Sequence, residues 1–578
     1  MLSRRKFLGL SAWTGLGMMM PSFHLLGCGP EAGQTTENRP QLYRPVSKLD
    51  RYVDALPIPN RLEPDTGRYK GTDYYEIRMS EFRQQMHSQL PASTVWGFAG
   101  STPGPMIEAR RGRPVRVKWI NDDLPAIHPL SASIDRTIYD DPQMPDVRTV
   151  VHLHGGHTPP ESDGLPRAWS SPGAAQTGSG YYGGDFIYPN DQQACMLWYH
   201  DHAMAITRLN VYSGLAGIYL IRDDIEDGLG LPGGQYEIPL IIQDRDLNDD
   251  GSLAYPTKGE TAEHPVWTQM FLGKVPVVNG KAYPYLDVEP RRYRLRLLNA
   301  SQARTYNLWF DIGGSAHAFH AIGTDGGLLP AAVQLSKILL APAERVDLII
   351  DFSDLPQGTI LTLRNDAAAP FPAGGSPQII SELMQVRVAK ELEGADGSTL
   401  PQDLALPALP ALSPTPGTAA RVINLENIEG ATGRLQLLIN NKRFRDPVEE
   451  RPVNGTTEIW EIVNLTLEAH PIHLHMIQFQ ILNRQPMDQQ SYWYAKEAFL
   501  AGRGSKPDPN QYITGPAVTP PPESSGWKDT ALSMPSEILR IQAPFELPPA
   551  ASAPASYVYH CHILEHEDNE MMRPFEVT

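Results

Sequence analysis

Residues 557–572 read YVYHCHILEHEDNEMM and hold an unusual density of metal-binding side chains. Cys561 lies between His560 and His562, His566 follows four residues later, and two methionines close the stretch. In a β-strand, alternate side chains point to the same face, so the two histidines face one way and the cysteine faces the other. One strand at this position would therefore separate two different metal sites.

Three strand-like segments that contain an asparagine near their end indicate repeated units. PVRVKWIND, RYRLRLLNA and TEIWEIVNL contain Asn121, Asn299 and Asn464, which are 178 and 165 residues apart. These intervals match the length of a β-domain, and self-similarity at such a period indicates a repeated architecture. The 54 prolines and 48 glycines favour short strands joined by turns. The sequence therefore predicts an all-β chain of three consecutive units.

Pairs of histidines with one residue between them occur in the first and third units. HLH at 152–154 matches HLH at 473–475, and YHDH at 199–202 matches YHCH at 559–562. Seventeen histidines in 578 residues would give fewer than one such pair by chance, and the chain has four. Eight imidazoles exceed the four ligands of one closed zinc site, so more than one ion is predicted. We expect the first and third units to face each other with a metal cluster between them.

The chain has three cysteines, Cys28, Cys195 and Cys561. If Cys28 carries lipid and Cys561 binds a metal ion, Cys195 has no partner and no disulfide is predicted. Cys195 precedes the strand-like MLWYH and is expected to be a small buried hydrophobic residue. Two histidines, one thiolate and a weak axial methionine form a blue-copper electron-transfer site. His566 and a methionine lie within loop reach of Cys561, and His470 lies three residues before His473. In the first unit an aspartate replaces the cysteine, so only the third unit is predicted to hold such a site.

The net charge of −17, without a basic block, does not favour binding to nucleic acid or to an anionic membrane surface. Residues 1–28, with the twin arginine Arg4 and Arg5 before an apolar run, resemble a bacterial twin-arginine export signal; a buried N-terminal helix is the alternative. Cys28 ends a segment that resembles a lipoprotein processing site, although Leu26 departs from that pattern, so lipidation stays open. We expect a polar leader at 29–46 and export to the periplasm or cell surface by the twin-arginine machinery, with membrane attachment only through such a lipid anchor.

These motifs resemble those of the three-domain multicopper oxidases, and within them the bacterial spore-coat laccase and bilirubin oxidase group. The resemblance runs from about residue 47 to the C-terminus, and its segments are VVHLHGGHTPPESDG, LWYHDHAMAITRLNVYSGLAGIYLIRD, HPIHLHMIQFQ, GPAVTPPPESSGWKDT and YHCHILEHEDNEMMRPFEV. It implies three consecutive cupredoxin-like Greek-key β-barrel domains at 47–228, 235–392 and 419–578, with a Pro-rich linker at 393–418. A monomer is expected.

The resemblance further implies four copper ions and assigns their ligands. A type 1 copper would be held by His470, Cys561, His566 and Met571. A type 2 copper would be held by His152 and His473. A type 3 pair would be held by His154, His200, His202, His475, His560 and His562. Met571 rather than Met572 follows from the spacing after His566, and His157 is predicted to be a loop residue outside the ligand set.

The implied activity is that of a laccase-type oxidoreductase, which oxidises diphenols and related donors by single electrons and reduces O₂ to water. A protein that only binds copper is the alternative class, and the complete set of twelve ligands favours the enzyme. Because the 17 methionines are scattered apart from a run in the export signal, phenols, aromatic amines or bilirubin-like pigments are favoured as donors over Cu(I) or Mn(II). Glu468, two residues before His470, is interpreted either as a solvated carboxylate or as a charge that favours cationic donors.

Reduction of O₂ to water needs four protons, and metal-bound histidines cannot supply them because their ligating nitrogens stay unprotonated. A carboxyl group near the cluster is therefore needed as a relay. Asp163 follows two cluster ligands in ESDG, and Glu567 follows His566. For both residues, a role in orienting a ligand histidine stays open beside the role of relay.

Overall fold

A computed structural model describes residues 48–139, 141–374, 380–429 and 435–578 of the protein. The predicted export signal, Cys28 and the whole of the polar leader lie outside these residues. Strands dominate the described part of the chain and form three pairs of sheets that follow one another along the sequence. The prediction of an all-β chain is confirmed, whereas the limits proposed for the three domains stay predictions.

The first unit contains strands β1 to β9 in two sheets. Their bounds are Asp65–Tyr69, Thr72–Gln84, Ser93–Phe98, Gly104–Arg110, Val115–Asp123, Val151–His154, Phe186–Tyr188, Cys195–Asp201 and Ala216–Arg222. One sheet has the order β1-β2-β5-β7 with β3 beside β2, and the other has the order β4-β9-β8-β6. Strand β2 follows the period-two pattern, since Tyr75, Ile77 and Met79 are buried while Glu76 and Arg78 are exposed.

The middle unit contains strands β10 to β23. Their bounds are Glu237–Leu247, Leu253–Ala254, Val275–Val278, Lys281–Ala282, Tyr285–Val288, Arg292–Asn299, Tyr306–Ile312, Ser315–His317, Phe319–Thr324, Gly327–Leu335, Ile338–Leu340, Arg345–Asp351, Ile360–Asn365 and Glu382–Val388. One sheet has the order β13-β12-β10-β15-β21-β18-β19 with β11 beside β10. The other has the order β14-β23-β22-β16-β17 with β20 beside β16.

The third unit contains strands β24 to β32. Their bounds are Arg421–Glu429, Leu435–Ile439, Thr456–Asn464, His470–Leu474, Gln480–Pro486, Thr530–Ser533, Glu537–Phe545, Ala555–Cys561 and Met572–Val577. The two sheets have the orders β25-β24-β26-β30-β28 and β29-β27-β31-β32. Strand β31 therefore places Cys561 at the centre of a sheet, next to β27, which begins at His470.

Helices are short and connect the strands. The α-helices α1 to α4 are Thr207–Ser213, Asp224–Asp227, Gln489–Leu500 and Leu564–Asp568. Single turns of 3₁₀-helix lie at Ser131–Ser133, Arg136–Ile138, Pro160–Ser162, Pro172–Ala174, Gly234–Tyr236, Pro401–Asp403, Pro509–Tyr512 and Pro522–Ser524. Among the described residues, no helix is both long and apolar enough to cross a membrane.

Buried ion pairs join the first and middle units. Strand β15 alternates arginine with apolar residues, yet every one of its side chains is buried. Arg294 contacts Glu226 of α2 at 2.6 Å and Asp347 of β21, and Arg296 contacts the same two carboxylates. A buried charge is tolerated only when it is paired, so the fit of these two units depends on a complete set of partners.

Candidate metal centre

The histidine pairs of the first and third units occupy matching positions in matching sheets. In the first unit, β6 pairs with β8 so that His152 lies opposite His200. In the third unit, β27 pairs with β31 so that His473 lies opposite His560. The internal repeat seen in the sequence is therefore also a repeat of strand register.

Histidines from these two units converge in one buried cluster. Its groups of three are His152, His473 and His475; His154, His200 and His562; and His202, His475 and His560. The members of these groups are at most 1% exposed. The expectation that the first and third units face each other across a cluster of histidines is confirmed.

The spacing of the ring nitrogens fits shared metal ions. The Nε2 atoms of His202 and His475 each lie 3.2 Å from Nε2 of His560, and those of His152 and His473 are 3.5 Å apart. Two nitrogens bound to one ion at about 2.0–2.1 Å lie roughly 3–4 Å from each other. These pairs therefore have the separation that a common ion requires.

Unpaired nitrogens supply a second test of the fit. Within the described part of the chain, Nδ1 of His154, Nε2 of His200 and both ring nitrogens of His562 are buried without a hydrogen-bond partner. A buried polar atom left unpaired costs about 1–3 kcal/mol, and a metal ion bound at these nitrogens would remove that cost. The other ring nitrogens are used, because Nδ1 of His200 donates to the carbonyl of Asp201 at 2.8 Å and Nε2 of His154 donates to Asp529 at 3.1 Å.

Burial also keeps these imidazoles in the form that binds metal. It lowers the pKa of His200 and of His473 to about 3, and burial together with neighbouring histidines holds the pKa of His154 and of His202 well below the usual value. Neutral imidazoles offer a lone pair, so a metal ion does not have to displace a proton from them.

A separate group of candidate metal-binding side chains lies on the other face of β31. Cys561 Sγ is 3.3 Å from Nδ1 of His470 and 3.7 Å from Nδ1 of His566, and the two nitrogens are 3.3 Å apart. Met571 is fully buried, and its carbonyl accepts a hydrogen bond from the Cys561 backbone N–H at 3.0 Å. Nε2 of His470 donates to the Thr466 hydroxyl at 2.7 Å, which leaves Nδ1 free to bind an ion.

Asp163 bonds to two histidines of the cluster. His475 Nδ1 donates to Asp163 Oδ2 at 2.7 Å, and His152 Nδ1 donates to the Asp163 carbonyl at 2.5 Å. The other carboxylate oxygen accepts a bond from Thr158 at 3.2 Å. Burial raises the pKa of Asp163 well above its usual value. These bonds turn Nε2 of both histidines toward the cluster.

Glu567 lies on helix α4, beside two other histidines of the cluster. Its carboxylate oxygens are 3.2 Å from Nδ1 of His560 and 3.5 Å from Nε2 of His202. Neither contact has hydrogen-bond geometry, and both oxygens are buried without a partner in the described structure. Glu567 thus differs from Asp163, because its carboxylate oxygens have no hydrogen-bond partner in the described structure, whereas both carboxylate oxygens of Asp163 accept hydrogen bonds.

Comparison with known proteins places this centre in a family. Two sequence profiles described as multicopper oxidase match residues 143–226 and 416–578. The chain is 46% identical to a laccase of Bacillus subtilis, over 92% of this chain and 99% of the relative. It is 37% identical to a laccase of Haloferax volcanii, over 100% of this chain and 91% of the relative. The chain belongs to the multicopper oxidases.

Solved structures agree with this membership. The crystal structure of the multicopper oxidase McoA from Aquifex aeolicus matches with a TM-score of 0.70 and 27% sequence identity, over 92% of this chain and 100% of that chain. The predicted cupredoxin-like fold is confirmed by this similarity. The protein is a copper-dependent oxidoreductase with laccase-like activity that uses O₂ as its electron acceptor.

One carboxylate in this multicopper oxidase escaped the sequence analysis. Asp529 accepts hydrogen bonds from Nε2 of His154 at 3.1 Å and, through its carbonyl, from Nδ1 of His473 at 2.9 Å. Asp529 stands in the GWKDT segment, 375 residues from His154. No spacing rule connects two residues so far apart, and only the fold brings them together.

The structure also places three residues that the sequence predicts to lie outside the ligand set. His157 contacts Asp191 at 2.9 Å and the carbonyl of Glu546 at 2.9 Å and belongs to none of the clusters. Cys195 is buried as expected, and burial raises the pKa of its thiol to about 12. Glu468 is half-buried rather than fully solvated, and burial raises the pKa of its carboxyl.

Proposed function

We propose that twelve side chains of this protein hold four copper ions. The type 1 ligands are His470, Cys561, His566 and Met571. The type 2 ligands are His152 and His473. The type 3 ligands are His154, His200, His202, His475, His560 and His562. The observation that supports this assignment best is the separation of one three-residue group containing Cys561 from three groups made only of histidine.

Copper bound at these sites would take single electrons from a donor and deliver four of them to O₂. The chain contributes the route between the two sites, because Cys561 adjoins His560 and His562 in the sequence and on β31. Consecutive Cα atoms are about 3.8 Å apart, so the path from thiolate to imidazole runs through a few covalent bonds. The chain also excludes water, since both groups of side chains are buried.

Two roles are proposed for Glu567 and Asp163. A carboxyl group beside the cluster can supply protons, or it can orient a histidine of the cluster. The free carboxylate oxygens of Glu567 favour the relay role for this residue. The bond from His475 to Asp163 favours the orienting role for Asp163, because a carboxylate that accepts from Nδ1 fixes the tautomer of the ring. A carboxyl group that relays protons must be near the reacting atoms but not locked in a permanent bond.

Phenols, aromatic amines and bilirubin-like pigments are the proposed electron donors, and Cu(I) or Mn(II) is the alternative. The similarity to laccases supports organic donors, as does the absence of a methionine-rich run from the mature sequence. A panel of four donors, a substituted phenol, bilirubin, Cu(I) and Mn(II), tests this on the copper-loaded enzyme by O₂ uptake. We expect the highest kcat/KM with an organic donor; a higher value with either metal ion would favour the alternative.

Export by the twin-arginine machinery to the periplasm or cell surface is proposed from residues 1–28 alone. A lipid anchor at Cys28 is proposed together with this export route. The protein is also proposed to be a monomer. Replacement of Arg4 and Arg5 by lysine should retain the enzyme inside the cell, and Cys28→Ser should release it from the membrane fraction if the anchor exists. Activity in each cell fraction measures both effects.

A further inference from the structure

The middle unit contributes none of the proposed copper ligands, yet Arg345 at the start of β21 extends to the histidine cluster. Its side chain is 1% exposed and is held by all three units of the chain. Nε donates to the carbonyl of Met196 at 3.0 Å, Nη1 to the carbonyl of Ala343 at 3.0 Å, and Nη2 to the carbonyl of Asp325 at 3.1 Å. The remaining N–H groups contact both oxygens of the Asp529 carboxylate, one of them at 2.8 Å.

The carboxylate of Asp529 links Arg345 to the histidine cluster through hydrogen bonds. Its Oδ1 accepts hydrogen bonds from Nε2 of His154 at 3.1 Å and from the Thr530 hydroxyl at 2.9 Å. Because Nε2 of His154 is used in this way, Nδ1 is the nitrogen that faces the other ligands and has no partner. The orientation of the His154 ring therefore depends on the orientation of a carboxylate that Arg345 holds at two points.

Gly155 of the first unit lies directly against the ion pair of Arg345 and Asp529. Gly155 follows His154 directly and has a φ of 82°, which disfavours other residues. A Cβ atom at this position would lie 2.3 Å from Asp529 Oδ2 and 2.8 Å from Arg345 Nη2. The ion pair thus lies against the backbone beside a proposed type 3 ligand, and a side chain at Gly155 would displace it.

A second contact from the middle unit fixes the segment that carries Asp529. Oδ2 of Asp325 is 3.0 Å from Nζ of Lys528, and it accepts the backbone N–H groups of Asp529 at 3.3 Å and of Thr530 at 3.4 Å. Nζ of Lys528 also contacts Glu344 at 3.1 Å. All of these polar groups are buried or nearly so, and buried networks of this kind hold their members in one arrangement only when every member is paired.

We propose that Arg345 is a positioning residue for the trinuclear copper site, and that it acts through Asp529 on the ring of His154. The middle unit thereby controls how firmly one type 3 copper is held, although it supplies no ligand. This inference rests on the proposed role of His154 as a ligand. A residue that only linked the domains would affect unfolding without a selective effect on one copper site. The role proposed for Arg345 differs from such a link in this respect.

Arg345→Lys tests the proposal, with Arg304→Lys as its matched control. Lysine keeps the charge but cannot contact both carboxylate oxygens and the Met196 carbonyl together. Arg304 is an equally buried arginine of the middle unit that contacts Asp244 at 2.9 Å and the carbonyl of Gly273 at 2.7 Å. The measurements are the copper content per chain, the rate of copper release to a chelator, the blue absorbance, and the thermal unfolding of the copper-free protein.

We expect Arg345→Lys to release trinuclear copper to the chelator about 10–100-fold faster than wild type, the range typical for loss of an outer partner of a metal ligand. The blue absorbance should remain, and Arg304→Lys should keep its copper even if it unfolds at a lower temperature. Release from Arg345→Lys at the wild-type rate, or equal release from both variants, would overturn the proposal. If Arg345→Lys does not fold, Asp529→Asn replaces it, with the same expected and overturning results.

His154→Ala distinguishes failure of this inference from failure of the ligand assignment. If His154→Ala keeps four copper ions, the proposed role of His154 is wrong and the inference fails with it. If His154→Ala loses copper while Arg345→Lys and Asp529→Asn retain it, the ligand assignment survives and only the role of Arg345 is refuted.

Discussion

Cys561 is the residue at which the two proposed copper sites meet. Serine at this position keeps the size of the side chain but removes the thiolate, which both colours a blue-copper site and carries its electrons. We expect Cys561→Ser to lose the blue absorbance and the oxidase activity while the histidine cluster keeps most of its copper. Absorbance spectra and copper analysis measure these effects, and a blue Cys561→Ser variant would contradict the type 1 assignment.

Glu567 is the residue for which the relay of protons to the cluster is favoured. In Glu567→Gln and Asp163→Asn we expect copper content and colour to persist while reoxidation of the reduced enzyme by O₂ slows. The effect should be larger at higher pH, where solvent protons are scarcer, and larger for Glu567, whose oxygens are free. Stopped-flow absorbance follows reoxidation across pH.

Glu565→Gln is the matched control for these variants. Glu565 lies on the same helix and is equally buried, but it accepts a hydrogen bond from Tyr255 at 2.6 Å instead of facing the cluster histidines. Reoxidation at the wild-type rate in both Glu567→Gln and Asp163→Asn across the pH range would eliminate both residues as the proton source.

At the scale of elements, helices α1 and α4 join the first and third units beside the metal centre. Asp568 at the end of α4 accepts the backbone N–H groups of Thr207 and Arg208 at 3.0 and 3.1 Å, and it contacts the Arg208 guanidinium at 2.8 Å. Both side chains of the ion pair are 1% exposed. Burial raises the pKa of Asp568 to about 6, although Arg208 counteracts this.

Asp568→Asn should destabilise this junction strongly. The change leaves the Arg208 charge buried without a counter-charge, and removing one partner of a buried ion pair costs about 3–5 kcal/mol. We expect a clear fall in the unfolding temperature measured by calorimetry. Asp224→Asn is the control, because Asp224 pairs with Arg110 at the surface, where ion pairs contribute about 0–1 kcal/mol. Equal effects of the two substitutions would contradict the role given to Asp568.

Elements with a regular pattern could be predicted from the sequence, and contacts between distant elements could not. The alternation in Thr72–Gln84 and the matched histidine pairs depend on neighbours along the chain, so they are visible without a structure. The sequence predicts only that His566 lies within loop reach of Cys561, whereas the structure places His566 on helix α4. The burial of Arg294 depends on the unit that packs over β15. The alternation of side chains along a strand shows which residues share a face, but it does not show what packs against that face.

At the scale of the whole molecule, the same limit applies to the candidate site. The proposed ligand histidines carry a local signature in the sequence, whereas the residues that hold them in place do not. Asp529 and Arg345 are separated by 184 residues and lie in different units, so only the packing of the domains reveals their connection to His154. The sequence therefore predicts which side chains could bind metal ions, but it does not predict which residues hold those side chains in place.

The contact between the first and third units at His157 predicts a pH-dependent stability. Burial alone would lower the pKa of His157, but the bond to Asp191 raises it above its usual value of 6.5. A group with a raised pKa in the folded state stabilises the fold below its unfolded pKa, and this contribution disappears as the pH rises through the folded pKa. The difference in unfolding temperature between wild type and His157→Gln should therefore be largest below about pH 6.5 and shrink above it. A difference that is constant or grows with pH would be inconsistent with this account.

In the function proposed above, the protein couples four one-electron oxidations to the complete reduction of one O₂ through a blue site and a three-copper cluster. This coupling is measured as the number of donor molecules oxidised for each O₂ consumed, with a one-electron phenolic donor, an oxygen electrode and an assay for hydrogen peroxide. We expect four donor molecules per O₂ and no peroxide. Two donor molecules per O₂, with one peroxide formed for each O₂ consumed, would contradict it.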